Sequence, residues 1–194
     1  MFKWIMIAIV LVGIVGIGYF ITTQKNRPLP GQVIPIAGRN HIADTQSSTN
    51  FNSNPPTSGD HWQTPADWGV YTEDLADERV IHNLEHGGVW MSYNCVIPED
   101  NKLPQDFATE SAIPETASGS AKLDDDSCKK LVSDLEAVAK SYQSKVIMTP
   151  RAKNDSRIAL VAWGRIWKFN RFDRTRVVEF IDLNRNNGPE FIPD

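Results

Sequence analysis

The chain has 194 residues, with 20 Lys or Arg against 24 Asp or Glu and a net charge of −4 when histidine is neutral. No basic stripe interleaved with aromatics accompanies that balance, so no nucleic-acid partner is expected. There is no internal repeat and no glycine-rich phosphate loop, and the 41% hydrophobic content is that of a globular protein.

Residues 4–21 (WIMIAIVLVGIVGIGYFI) are 18 uncharged, mostly apolar residues. At about 1.5 Å per residue such a helix crosses a hydrocarbon core. A cleaved signal peptide is the rival reading, but its apolar core is shorter and ends in a small-residue site, whereas YFITTQ closes this one. Lys3 on one side and Lys25 and Arg27 on the other leave the orientation open. The expected organisation is a single-pass membrane anchor over residues 1–22, a tether over 23–39 broken by Pro28, Pro30 and Gly31, and one extracytoplasmic domain over 40–194.

Periodicity disappears between residues 40 and 68. Within this stretch, residues 50–62 (NFNSNPPTSGDHW) are mostly turn formers that shape a loop carrying His61. Residues 77–86 predict a short helix, capped by Asp77 and ended by Gly87 and Gly88, and residues 89–93 predict a strand. Residues 97–126 are polar and interrupted by Pro98, Pro104 and Pro114, as in a long surface excursion.

Leu131, Leu135 and Val138 set a helix over 127–143. Residues 145–149 and 157–169 predict two strands joined by turn residues at 151–156. A final helix over 173–184 is capped by Asp173 and buries Val177, Val178, Phe180 and Ile181. The sum is an α+β fold: a small, largely antiparallel sheet with packed helices. Cys95 and Cys128 are the only cysteines. Oxidised, they close one loop and imply an oxidising compartment outside the cytoplasm; two free thiols, or soft metal ligands outside any CxxC, are the alternatives.

All four histidines, His41, His61, His82 and His86, fall within 46 residues. Residues three and four apart share a helix face, so His82-Asn83-Leu84-Glu85-His86 sets two imidazoles beside one carboxylate, as a chelating site requires. His61 from the loop joins His82 and His86 as a three-ligand set, completed by His41, Met91, Met148, Glu85 or water. Imidazoles suit zinc, copper, iron or nickel; a thioether from Met91 or Met148 turns the preference toward copper, above all Cu(I). The plain alternatives are a hydrogen-bonded histidine cluster and methionines that fill a core.

The blocks NPPTSGDHW, GVY, VIHNLEHGGVWMSY, IALVAWGR and PEFIPD resemble the bacterial family named domain of unknown function 3105 over residues 41–193. That resemblance implies an amino-terminal membrane segment and supplies no activity. HxxEH is also similar, as a fragment, to the inverted zinc-peptidase motif, in which the glutamate is general base. That family is much larger, and its downstream glutamate ligand sits in its own helical context, which neither Glu179 nor Glu190 matches. A metal-dependent hydrolase with Glu85 as base is therefore the alternative function.

Trp62, Trp68, Trp90, Trp163 and Trp167 either wall a pocket or pack the core. Ser58, Gly59, Asp60 and His61 lack the GxSxG context of a nucleophile. A third reading, a non-catalytic adaptor with an envelope protein partner, requires an exposed apolar patch and no metal. The expectation carried forward is transition-metal handling, copper ahead of zinc, by His61, His82 and His86, with His41 as fourth ligand or as a group supporting the ligands.

Overall fold

The structure, a computed structural model, describes residues 29–99, 126–190, 192 and 193, together with Met6 and residues 12–16. Among them the elements run β1 (Gln32–Val33), β2 (His41–Ile42), β3 (His61–Trp62), β4 (Gly69–Val70), α1 (Asp77–Glu85), β5 (Val89–Tyr93), α2 (Asp126–Ala139), β6 (Val146–Pro150), β7 (Ile158–Ala162), β8 (Arg165–Phe169) and α3 (Arg174–Asn184). Most of the apolar span at 4–21 and of the polar excursion at 97–126 lies outside the described residues. No described helix is long and apolar enough to cross a membrane.

One sheet has the strand order β1-β8-β7-β5-β6-β4, and β2 and β3 form a separate two-stranded sheet. The expected α+β class holds, but the main sheet is mixed rather than largely antiparallel. Pairs β1/β8, β8/β7 and β7/β5 are antiparallel, whereas β5/β6 and β6/β4 are parallel. The cause is the position of the helices: the chain passes from β4 to β5 through α1 and from β5 to β6 through α2, and helical crossovers return strands in the same direction. The stretch expected as one strand over 157–169 is a hairpin. Gly164, with φ of +65°, turns the chain between Ala162 and Arg165, which are Cα partners.

Alternation along the strands creates two apolar faces. Val89, Met91 and Tyr93 of β5, with Val146 and Met148 of β6 and Leu160 of β7, meet Leu131, Leu135 and Val138 of α2 and Val177, Phe180 and Ile181 of α3. On the other face Trp90, Ile147, Val161 and Ile166 meet Val80 and Leu84 of α1. Val80 and Leu84 are fully buried, and each contributes about 1.5–3 kcal/mol of apolar burial. That stripe fixes the rotation of α1, leaving His82, Glu85 and His86 to face the small β2/β3 sheet.

The ends of the helices follow different chemistry. Asp173 caps α3 as the sequence predicts, accepting from the Thr175 and Arg176 amides. Asp77 does not cap α1; Ala76 occupies the N-cap, without a side-chain cap. The Asp77 carboxylate takes a two-pronged contact from Arg151, with Nε–Oδ1 and Nη2–Oδ2 both 2.8 Å. Arg151 also donates to Asn54 and Asn154 and lies 5.6 Å over the Trp90 ring. This buried hub ties α1 to the end of β6 and to the loop before β3. Cys95, just past β5, is disulfide-bonded to Cys128 in α2, with Cα atoms 5.5 Å apart.

Candidate metal centre

Loop geometry brings the first two histidines together. His41 and His61 are Cα partners in the β2/β3 parallel ladder, and the approach continues upstream, where the Gly59 amide donates to the Gly38 carbonyl. Gly59 has a φ of +135°, and a Cβ there would stand 2.3 Å from the Asn50 carbonyl oxygen, so only glycine lets the loop close this tightly. Asn54–Pro55 in the same loop is a cis peptide.

Helix α1 supplies the other donors at its C-terminal turn. The Gly88 amide donates to the Asn83 carbonyl and the Gly87 amide to Leu84, with Gly87 at φ of +79°. This Schellman arrangement ends the helix where the Gly87-Gly88 pair predicts and presents His82, Glu85 and His86 side by side. The carboxy-terminal segment packs on the same turn. The Glu190 amide donates to the Glu85 carbonyl, and a Cβ on Gly188 would fall 2.2 Å from that carbonyl oxygen.

His41, His61 and His82 each offer a ligand atom within 4.8 Å of the other two, a set that could hold a metal ion. Their ring centroids lie 4.6, 4.9 and 5.3 Å apart. His61 is fully buried and His82 nearly so, whereas the His41 side chain is 40% exposed and opens the cluster to solvent. The compact trio thus contains His41 in place of His86, because ladder pairing carries His41 directly onto His61.

His86 is the immediate neighbour of the trio, its Nε2 3.1 Å from Nε2 of His82. Met91 and Met148 are not neighbours. Both are fully buried in the core under α2 and α3, on the sheet face opposite α1, so neither thioether completes the histidine site. Strand alternation causes this: Trp90 points toward α1, and Met91, one residue on, points away.

The hydrogen bonds prepare the rings for ligation. A carbonyl can only accept, so Nδ1–H of His61 donates to Gly59 (2.8 Å) and Nδ1–H of His82 donates to Trp62 (2.7 Å). Both Nε2 atoms then face the cluster, where that of His82 meets Nε2 of His86 at 3.1 Å and that of His61 meets Glu85 Oε2 at 3.0 Å through a shared proton that a bound ion would replace; metal-bound histidines likewise have the other nitrogen held by a carbonyl. Burial pushes His82 and His86 below the ordinary histidine pKa. Neighbouring imidazoles add to both effects; the Trp62 carbonyl opposes the shift at His82, and Glu190 and Glu85 oppose it at His86.

Glu85 sits at the centre of this charge pattern and is fully buried. Its Oε2 lies 3.0 Å from Nε2 of His61 and 3.7 Å from Nε2 of His41, so a proton or a metal ion on those nitrogens is attracted to it. Its Oε1 lies 3.3 Å from Nε of Arg39 in an ion-pair contact, yet has no hydrogen-bond partner among the described residues. Arg39 also reaches Glu190 at 3.7 Å, and Glu190 Oε2 lies 3.5 Å from Nε2 of His86.

Arg39 and the approach of Glu190 carry no sequence signal, because both arrive through tertiary packing. Of the five tryptophans weighed from the sequence, Trp163 stands edge-on to His61 at 6.3 Å, and Trp62 contributes its carbonyl to His82. Trp90 and Trp167 pack in the cores on the two faces of the sheet.

No curated protein and no solved structure matches this chain. The donors from His41 to Glu190 all lie in the segments, residues 41–115 and 120–192, that match the family described as "Protein of unknown function (DUF3105)", and the chain belongs to that family.

Proposed function

We propose that this chain is a metal-handling protein that holds one divalent transition-metal ion through Nε2 of His41, His61 and His82, with His86 and Glu85 at its margin. The observation carrying this reading is the pair of Nδ1–H bonds to the Gly59 and Trp62 carbonyls, which orient two buried imidazoles with their Nε2 atoms inward, toward His41. With no thioether in reach, Cu(I) loses its special claim. Among divalent ions the general affinity order still places Cu(II) above Zn(II) on imidazole donors, so Cu(II) is the tightest ligand of the proposed site.

Handling, rather than storage in a sealed site, is supported by the half-exposed His41, which gives the ion a ligand that a partner's donor can replace. We place the domain outside the cytoplasm, on the strength of the Cys95–Cys128 disulfide, and anchor it by the apolar span at residues 4–21. The partner in this scheme is an envelope protein that delivers or accepts the ion.

A hydrolase reading is held by one observation: Glu190, the downstream carboxylate, does approach His86 of the HxxEH segment. Against it, Glu85 is fully buried and engaged by His61 and Arg39, where a general base must reach a metal-bound water. Metal analysis of the purified full-length chain, followed by competition between Cu(II) and Zn(II), tests the proposal. Retained metal that is lost on chelation and restored by Cu(II) supports it; a protein that takes up neither ion overturns it.

A further inference from the structure

The six donors gathered here exceed what one tetrahedral ion uses. If the His41, His61 and His82 nitrogens hold the first ion, three groups remain beside it: His86, Glu190 and the outer oxygen of Glu85. The two carboxylates among them are the groups to which the Arg39 guanidinium is drawn. Its Nε faces Glu85 Oε1 at 3.3 Å and its Nη2 faces Glu190 Oε1 at 3.7 Å, while Glu190 Oε2 turns to His86 Nε2 at 3.5 Å. Glu85 Oε1 is buried and accepts no hydrogen bond among the described residues, although a charged oxygen removed from water normally has one.

We propose that His86, Glu190 and Glu85 form a second divalent-cation site, that Arg39 occupies it as an internal cation in the ion-free chain, and that Glu85 bridges the two ions when both are bound. This rests on the reading of His41, His61 and His82 as holders of the first ion.

The charge arrangement supports the exchange. A buried carboxylate requires a nearby positive charge. Glu85 directs one oxygen at His61 and His41 and the other at Arg39, which divides it between two cationic positions. Arg39 is 54% exposed on its side chain, so its guanidinium can swing into water when an ion displaces it. Glu190 is 36% exposed and the His86 side chain 17%, which leaves a path for that ion. His82 cannot bridge the two ions, because its Nδ1–H is committed to the Trp62 carbonyl and only Nε2 is left to ligate; the second ion therefore depends on His86.

The test is titration of the full-length chain with Zn(II) alone, with stoichiometry read by native mass spectrometry and affinity by calorimetry. Thermal melts establish that each variant is folded. Two ions per wild-type chain are expected, the second weaker. His86→Ala and Glu190→Gln should each reduce the count to one. Arg39→Gln should tighten the second site by at least about tenfold, since it removes the competing charge at contact distance. One ion in both the wild type and Arg39→Gln overturns the second site and leaves the first intact, as does a second ion that survives both His86→Ala and Glu190→Gln. No ion at all overturns both.

Discussion

His41 and His61 are Cα partners across a parallel ladder only two residues long, and their ring centroids stand 4.6 Å apart with the planes at 71°. Backbone pairing, rather than side-chain packing, sets this distance. His41→Ala and His61→Ala are each expected to lower metal affinity by at least about a hundredfold, more than the loss of a supporting group costs. His41→Ala is the cleaner variant, because that side chain is 40% exposed and its removal leaves no buried cavity. Calorimetric titration with Zn(II) or Cu(II) checks both, and unchanged affinity in His41→Ala would remove it from the ligand set.

Metal affinity should hold as pH falls from 7.5 to 6.5 and weaken below that. Protons and metal compete for the same nitrogens, and burial lowers the pKa of His82 and His86 from the ordinary 6.5, so their neutral forms persist into mildly acid solution. The same shifts have a signed effect on the ion-free fold. Well above 6.5 both rings are neutral, folded or unfolded, and contribute no pH dependence. As pH drops below 6.5 the unfolded chain takes up protons first, so stability declines until the folded rings also titrate. Affinities and denaturant midpoints measured between pH 5 and 7.5 test both statements; an affinity that is already half lost at pH 7 contradicts the first.

Glu85→Gln distinguishes ion handling from hydrolysis. In the proposed role the variant retains metal at the trio with an affinity weakened by about 10–100-fold, because a neighbouring negative charge is gone. In the hydrolase reading it retains metal and loses all turnover. Assays with peptide and ester substrates, run beside metal analysis, decide the matter; metal-dependent turnover that vanishes in Glu85→Gln would replace the present proposal.

Met91→Leu and Met148→Leu should be silent toward metal. Both thioethers are enclosed by the α2 and α3 core, and a swap of similar volume costs less than about 1.5 kcal/mol. Competition of Cu(I) against Zn(II) should give the same selectivity in the wild type and both variants. A Cu(I) preference that disappears in either one would place sulfur at the site.

Arg151→Ala is expected to destabilise the domain by about 3–5 kcal/mol, since it strands the Asp77 carboxylate in a site where both partners are nearly buried. Urea titration monitored by tryptophan fluorescence measures it. Because Arg151 anchors the far end of α1 from His86, the folded fraction of the variant should still bind metal.

Local rules carried the readable part of the site. The i, i+3, i+4 relation of His82, Glu85 and His86 follows from helix geometry, and the helix ends at Gly87, with its positive φ, and at Gly88, whose amide returns to Asn83, a pattern that the glycine pair displays in the sequence. The same holds for Asp173, whose cap needs only the next turn of chain. What stayed hidden depends on tertiary contacts. A two-residue ladder has no periodicity, so His41 beside His61 leaves no trace in the pattern. Alternation in β5 separates Trp90 from Met91, but only the packing of α1 reveals which of them faces the histidines. Asp77 has the composition of a cap, and a distant guanidinium claims its carboxylate instead. The parallel pairing of β5 with β6 follows from where α2 lies, and hydrophobic periodicity does not encode that.

The β2/β3 sheet has two rungs and joins the rest of the domain largely through its contact with α1. So short a ladder is a natural unit of local opening, with exchange-labile amides in the ion-free chain. An ion shared by His41, His61 and His82 would rivet that ladder to the helix and close the intervening loop of chain. Occupancy of the centre would then be legible from outside as slower deuterium uptake at residues 41, 42, 61 and 62 and as resistance of the polar stretch between them to proteases. A partner protein could read that stiffening, and so tell a loaded chain from an empty one without touching the ion.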